Sequence, residues 1–376
     1  MMELLDLRGA LVQIVILPSL DYEVFLGRNF ESEERTLFVP TARIVAGCSE
    51  RGIPLTLFAD VLSVPAYRAA GRSDFCDRFE SQLISAVKEG HDAQLHIHAN
   101  WASTKYIDGA WQLCEPKITL ADYDYQTDEP ARLIGWGATY LRSLLQPVDA
   151  DYRCIAFRAG ALAMQPDERR LIELLDAAGI IIDSSLAKGL RVQLDTVSID
   201  YRNLPADANW WISSRSGLAG GADTGLFEIP IAAFQSPVTE RASFLVRRLS
   251  AFRERRGSGI SRARRQTRWA NVKTLLLGNL RYLTSAPVFL FSADTKGLTR
   301  RMLVRGFQRY ISEHEKESAA TLYVSMINHP KLMFPRQEQM FFDTLDELQQ
   351  IYGTRLRFST YRSVAAQLQR EVTLTA

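Results

Sequence analysis

Sulfur chemistry has little to work with in this chain. Four cysteines occur in 376 residues, Cys48, Cys76, Cys114 and Cys154, and no two stand in a CxxC spacing. That argues against a disulfide-framed scaffold or a cysteine cage for zinc, and reduced thiols in a cytoplasmic enzyme are the simplest reading. Long apolar runs are missing as well. Nothing approaches the ~20 consecutive residues that a membrane-spanning helix requires. Leu11–Leu17 is too short, contains Gln13 and follows Asp6 and Arg8, so it reads as a buried strand rather than a secretory leader. A dominant charge is also absent, the net value being +2. It is unevenly spread: Arg241 to Lys273 holds eleven Lys/Arg against the single acid Glu254, a local excess of +10 that leaves the remainder at −8. An acidic body argues against a general nucleic-acid binder.

What is present is ordinary globular material, 47% hydrophobic and 23% charged, with ample length for a large core. Length alone suggests two domains, yet α/β barrels often run this long as one unit. Apolar strand-like runs alternate with helical patterns. Leu11–Leu17, Leu55–Phe58, Ala93–His98, Cys154–Phe157, Ile180–Ile182, Phe227–Ile231 and Thr321–Ile327 read as seven strands. Between them, Thr41–Arg51, the run Phe79, Leu83, Ile84, Val87 ending at Gly90, and Pro130–Leu145 read as helices. Pro166 to Ala178 is the clearest helix, with Pro and acids in its first turn and Gly179 as its stop. Seven such units predict a parallel sheet and suit a distorted (β/α)7 barrel; an open doubly wound sheet is the rival.

In parallel α/β folds the strand C-termini share one rim, where chemistry sits. The polar residues expected there are Asp21, Glu23, Asp60, His96, His98, Arg158, Asp183, Glu228 and His329. Side chains two apart on a strand share a face. His96 and His98 therefore converge on one point, where nitrogen ligands suit Zn²⁺. The same alternation pairs Asp21 with Glu23, one carboxylate to ligate and one to take a proton from water. Arg158, followed by Ala159-Gly160, is suited to orient a carboxylate or bind substrate oxygen. His329, in Asn328-His329-Pro330, is placed to protonate a leaving amine. Each residue also has a bland reading: histidines bonded to backbone, a solvated Glu23, a structural ion pair at Arg158. Asp183, Asp60 and Glu228 are candidates for supporting roles or strand-end caps.

This ordered set resembles the polysaccharide deacetylase (NodB homology, carbohydrate esterase family 4-like) family. Ser19-Leu20-Asp21-Tyr22-Glu23 is similar to the family's T-F-D-D motif, which puts Asp21 at its base position. Gly90 to Asn100 is similar to its H-[ST]-x-x-H motif, with His96 at the first metal-histidine position. Arg158-Ala159-Gly160, Asp183-Ser184-Ser185 and Asn328-His329 match its later motifs in order. The resemblance implies a divalent-metal hydrolase that deacylates an amino sugar or sugar precursor, as in surface-polysaccharide or O-antigen biosynthesis. Two positions depart from the pattern: Tyr22 replaces the second metal Asp and Asn100 the second metal His. A shifted site follows by alternation, with Glu23 and His98 supplying the missing ligands beside His96 and Asp21. Asp60, Asn100, Trp101 and Glu228 are then expected to line the substrate. Two other readings stay open: a carbohydrate-binding protein without turnover, and a hydrolase of another non-peptide C–N bond.

A basic insertion is expected at about 238–290 within an otherwise single domain, 1–376. Arg247 to Arg268 surrounds Gly257-Ser258-Gly259, and Leu245, Leu249 and Phe252 give it an amphipathic pattern. It suits contact with phosphate or an anionic membrane face; an exposed helical hairpin is the plainer reading.

Overall fold

The computed structural model describes residues 12–24, 32–112, 119–193, 198–221, 224–235, 237, 239–240, 244, 247, 288–315 and 320–375. Its frame is seven parallel strands that stand side by side in chain order: β1 (Gln13–Tyr22), β2 (Thr56–Asp60), β3 (Asp92–Ile97), β4 (Ala156–Ala159), β5 (Ile182–Asp183), β6 (Leu226–Glu228) and β7 (Thr321–Asn328). β7 pairs with β1 over eight residues, from Gln13↔Thr321 to Leu20↔Asn328. The ring shuts between β6 and β7 through one parallel bridge, Ile231↔Ser325. A wider ladder is blocked there because the antiparallel strand Trp210–Ile212 occupies the edge of β6. The Asn209 side chain serves β7 instead, donating to Tyr323 O and accepting from Tyr323 N, both at 3.0 Å. The fold is thus a distorted (β/α)7 barrel, as the strand pattern predicts.

The strand boundaries differ from the sequence reading where burial outruns local pattern. β1 extends to Tyr22, five residues past the expected end, because pairing with β2 and β7 continues through polar residues that face the interior. Helices α1 (Val39–Glu50), α2 (Ser73–Lys88), α3 (Glu129–Leu145) and α4 (Glu168–Ala177) cover the outer face of the first strands. α4 begins two residues after Pro166, and buries Leu171, Ile172 and Leu175 at helical spacing. Gly90 and Gly179 follow α2 and α4 with φ of +88° and +83°, a left-handed turn that glycine adopts without a Cβ penalty.

Alternation along β1 sorts the molecule into layers. Ile14, Ile16, Leu20 and Tyr22 point outward into the main core beneath the helices. Val15 and Leu17 point inward, where they meet Phe58, Ala156, Ile182 and Ile229 and the last helix, α7 (Tyr361–Thr375), through Tyr361, Val364, Ala365 and Leu368. α7 therefore plugs the lower end of the barrel. Higher on the same inward face come Ser19, Asp21 and Glu23, so one strand passes from apolar floor to charged rim. α5 (Arg300–His314) and α6 (Pro335–Tyr352) complete the outer layer.

The expected insertion falls almost wholly outside the described residues, and so does Arg248 to Arg268. Arg247 is described; it donates to Gly297 O at 3.0 Å and so packs against the barrel's own chain. Val288–Leu290, at the end of that span, pairs antiparallel with Ala233–Gln235. Among the described residues no helix is long and apolar enough to cross a membrane, and Cys48, Cys76 and Cys154 are free and buried.

Candidate metal centre and its flanking groups

Three side chains from two strand ends meet at the rim. Glu23 follows β1; His96 lies in β3, and His98 follows it in extended conformation (φ −98°, ψ 101°), which keeps both rings on one face. One ligand atom from each of Glu23, His96 and His98 falls within 4.8 Å of the others. Glu23 Oε2 stands 2.5 Å from His98 Nε2 and 3.7 Å from His96 Nε2. Yet Glu23 Oε2 and His96 Nε2 are both buried without a hydrogen-bond partner. Short contacts without bonding geometry are what lone pairs aimed at a common point produce, and leaving such atoms orphaned is costly. His96 Nδ1 lies 2.7 Å from Arg158 O. A carbonyl can only accept, so Nδ1 carries the proton and Nε2 is left to ligate. The donor set therefore fits a divalent cation that takes nitrogen and carboxylate ligands.

Close packing holds the imidazoles. A Cβ on Gly160, just past β4, would sit 2.5 Å from Ile97 O and 3.0 Å from His98 Nδ1, so only glycine leaves His98 its place. Asp60, at the end of β2, receives the His98 backbone N–H at 3.0 Å and the Trp101 indole N–H at 2.7 Å.

Two further groups flank the trio. Asp21 Oδ1 accepts from Arg158 Nη1 at 2.6 Å, and Asp21 Oδ2 lies 3.6 Å from His329 Nε2. Arg158 is completely buried and also donates to Ser184 O, Ser19 Oγ, Ser184 Oγ, Ser325 Oγ and Tyr361 Oη. His329 is gripped by Asp294, whose Oδ2 lies 2.7 Å from both the His329 backbone N and Nδ1. Its Nε2 then faces Asp21 and, at 3.7 Å, Glu23 Oε1.

Solved structures of other proteins are similar to this chain over most of its length. The chain is similar to a Mycobacterium smegmatis protein assigned to the polysaccharide deacetylases, at 12% identity and a TM-score of 0.48 over 97% of this chain and 93% of that one. It is likewise similar to a Pseudomonas aeruginosa PAO1 protein with the same assignment, at 14% identity and 0.48 over 96% and 92%. PuuE allantoinase matches at 14% and 0.45 over 96% and 91%. No protein-family model and no curated protein matches the chain.

Charge explains the protonation of the site. Burial would raise Asp21, but the Arg158 guanidinium, joined by His96 and His329, outweighs it and holds the carboxyl below its usual range. Burial likewise opposes ionisation of Glu23, and His98 and Lys331 override it, taking the carboxyl well down. For His96, burial pulls down while Asp21 and Glu23 pull harder, giving about 9 without a metal. His329 is raised against burial by Asp294, then by Asp21 and Glu23.

The remaining sequence candidates stand around the trio or apart from it. Asp21 stands outside the ligand trio, with one oxygen held by Arg158 and the other facing His329. Asp183 does not reach the cluster: it accepts from Ser185 Oγ at 2.7 Å and lies beside Glu228, to which its charge couples. Glu228 is itself fully buried and pushed well up by burial and by Asp183. Neither Glu228 nor Trp101, whose ring packs on Tyr67 and Trp111, presents a free face to substrate. Asp60 supports the histidine segment, and Asn100 accepts from Thr104 Oγ1 through its backbone. Tyr22 is absent from the rim because it faces outward, its ring tilted against Phe79 and its hydroxyl donating to Gln82. Two rim residues escaped the sequence reading. Asp294 closes the apolar run Val288–Phe291, which could have been read as a strand ending in a carboxylate. Lys331, two residues past His329, had no local signal; it donates to Glu23 Oε1 at 2.7 Å.

Proposed function

We propose that this chain is a metal-dependent hydrolase that removes an acyl group from the nitrogen of an amino sugar or sugar precursor. The observation that carries it is the convergence of Glu23 Oε2, His96 Nε2 and His98 Nε2, flanked by His329 from the end of β7, whose Nε2 lies 3.7 Å from Glu23 Oε1 and 3.6 Å from Asp21 Oδ2. A divalent ion held by these three, with zinc the best match to the donors, would polarise an amide carbonyl and acidify water. The chain's own groups supply the proton traffic. Asp21, kept ionised by Arg158, accepts the proton that the attacking water releases. His329, held upright by Asp294, donates one to the nitrogen as the C–N bond breaks. Arg158 acts through Asp21 and does not touch the reaction.

The amino-sugar substrate, its place among surface-polysaccharide or O-antigen precursors and a cytoplasmic setting rest on the motif resemblance and on free cysteines. Contact of Arg247–Arg268 with phosphate or an anionic membrane belongs to the same proposal. A rival reading, a sugar binder without turnover, draws on Lys331, which already neutralises Glu23. Metal analysis separates the two. The purified protein is expected to hold a stoichiometric divalent metal that His96→Ala and His98→Ala lose, and to release acetate or formate from N-acylated sugars. A native protein without metal would overturn the hydrolase.

A further inference from the structure

Glu23 divides its two oxygens. Oε1 takes the Lys331 ammonium at 2.7 Å, while Oε2 alone faces the two histidines. The Lys331 side chain is wholly buried. It is delivered by a turn that leaves β7 at His329: Pro330 opens the turn, and Leu332 N bonds back to His329 O at 2.9 Å. A buried ammonium is expensive to desolvate and is retained only against a matched partner. A carboxylate with both oxygens unrestrained can grip a metal through one or both of them. Here one oxygen is already claimed.

We infer that Lys331 is a positioning residue that restricts Glu23 to a single-oxygen ligand and so keeps the coordination number of the centre low. This rests on the metal-hydrolase reading above. The lysine acts through Glu23, touching neither substrate nor reacting atoms. Its value to the site is an open coordination position, which a metal needs if it is to take both water and an acyl oxygen. Lys331 also offsets the charge of Glu23.

The test uses Co²⁺ as a spectroscopic probe on the full chain, because its visible d–d absorption is strong in four-coordinate sites and weakens as ligands are added. Lys331→Met removes the donor, freeing Glu23 to bind through both oxygens. Lys331→Gln keeps a hydrogen-bond donor near Oε1 without the charge. The Co²⁺ band is expected to drop about two-fold or more in Lys331→Met, as geometry is diagnostic of ligand number, and to stay as in the parent in Lys331→Gln. Equal spectra in all three proteins would overturn the inference while leaving the metal reading standing. Lys331→Gln matching a weakened Lys331→Met would also overturn it, since charge rather than positioning would then be at work. Should Lys331→Met fail to fold, Lys331→Ala takes its place: a weakened band beside a retained one in Lys331→Gln supports positioning, and a band equal to the parent's refutes it. A parent protein that binds no Co²⁺ would sink the hydrolase reading and this inference together.

Discussion

At the scale of single residues, the rim gives different work to carboxylates of the same chemical type. Asp21 is anchored by an arginine, Glu23 by a lysine, and Asp294 by the histidine it orients. The anchor decides the role: Asp21 and Glu23, pinned through one oxygen, keep the other for chemistry, while Asp294 accepts from Ser292 and His329 through both and is spent on holding the histidine. Asp294→Asn leaves a group of the same shape but cannot hold the His329 Nδ1 proton as a carboxylate does. It is expected to lower kcat by on the order of 10²-fold with little change in KM, as loss of an oriented acid–base group does. Steady-state kinetics on an N-acylated sugar checks this; an unchanged kcat would remove His329 from the reaction.

At the scale of elements, the ends of β3 and β4 show how backbone proximity makes a ligand. His98 lies beyond the last residue of β3, and the strand's own hydrogen bonds do not hold it. Asp60 fixes its backbone, and the bare Cα of Gly160 leaves room for its ring. Gly160→Ala therefore tests an element contact through a distant readout. The added methyl has no space against Ile97 O, so about 1–3 kcal/mol of stability is expected to be lost to overpacking. Metal affinity should fall further than Val or Leu trimming elsewhere in the core would cause. Urea denaturation of the metal-free chain, together with metal titration, separates the two effects; full affinity in a destabilised variant would show that Gly160 serves packing alone.

At the scale of the molecule, the barrel keeps its two ends chemically apart. Charge gathers at the upper rim, and α7 plugs the lower end with apolar groups. One acid breaks that rule. Asp92 opens β3 at the bottom, fully buried, near Arg362 Nε at 3.7 Å, and burial pushes its carboxyl up to about 6 against the pull of Arg362. Its folded value lies above its unfolded one, so between about pH 4 and pH 6 the native chain holds a proton that the unfolded chain has released. The contribution of Asp92 is thus complete below about pH 4 and lost as the pH climbs to about 6. Over that window the difference in unfolding free energy between parent and Asp92→Asn should shift by up to about 3 kcal/mol. Denaturant melts at about pH 4, 5 and 6 measure it across that window; a difference independent of pH would refute the assignment.

Local order along the chain already determined much of this protein. Period-two alternation put Asp21 with Glu23 and His96 with His98, and strand-helix repetition gave seven units in ring order, because both depend on neighbours a few residues apart. Tyr22 turning away from the rim follows from that same alternation. What only the folded chain decided spans far greater separations. Lys331 reaches Glu23 across 308 positions and Arg158 reaches Asp21 across 137, while Asp183 and Glu228 find each other and leave the centre. No local pattern encodes such meetings: they are set by where the barrel closes, and a buried charge stays where closure offers it a partner.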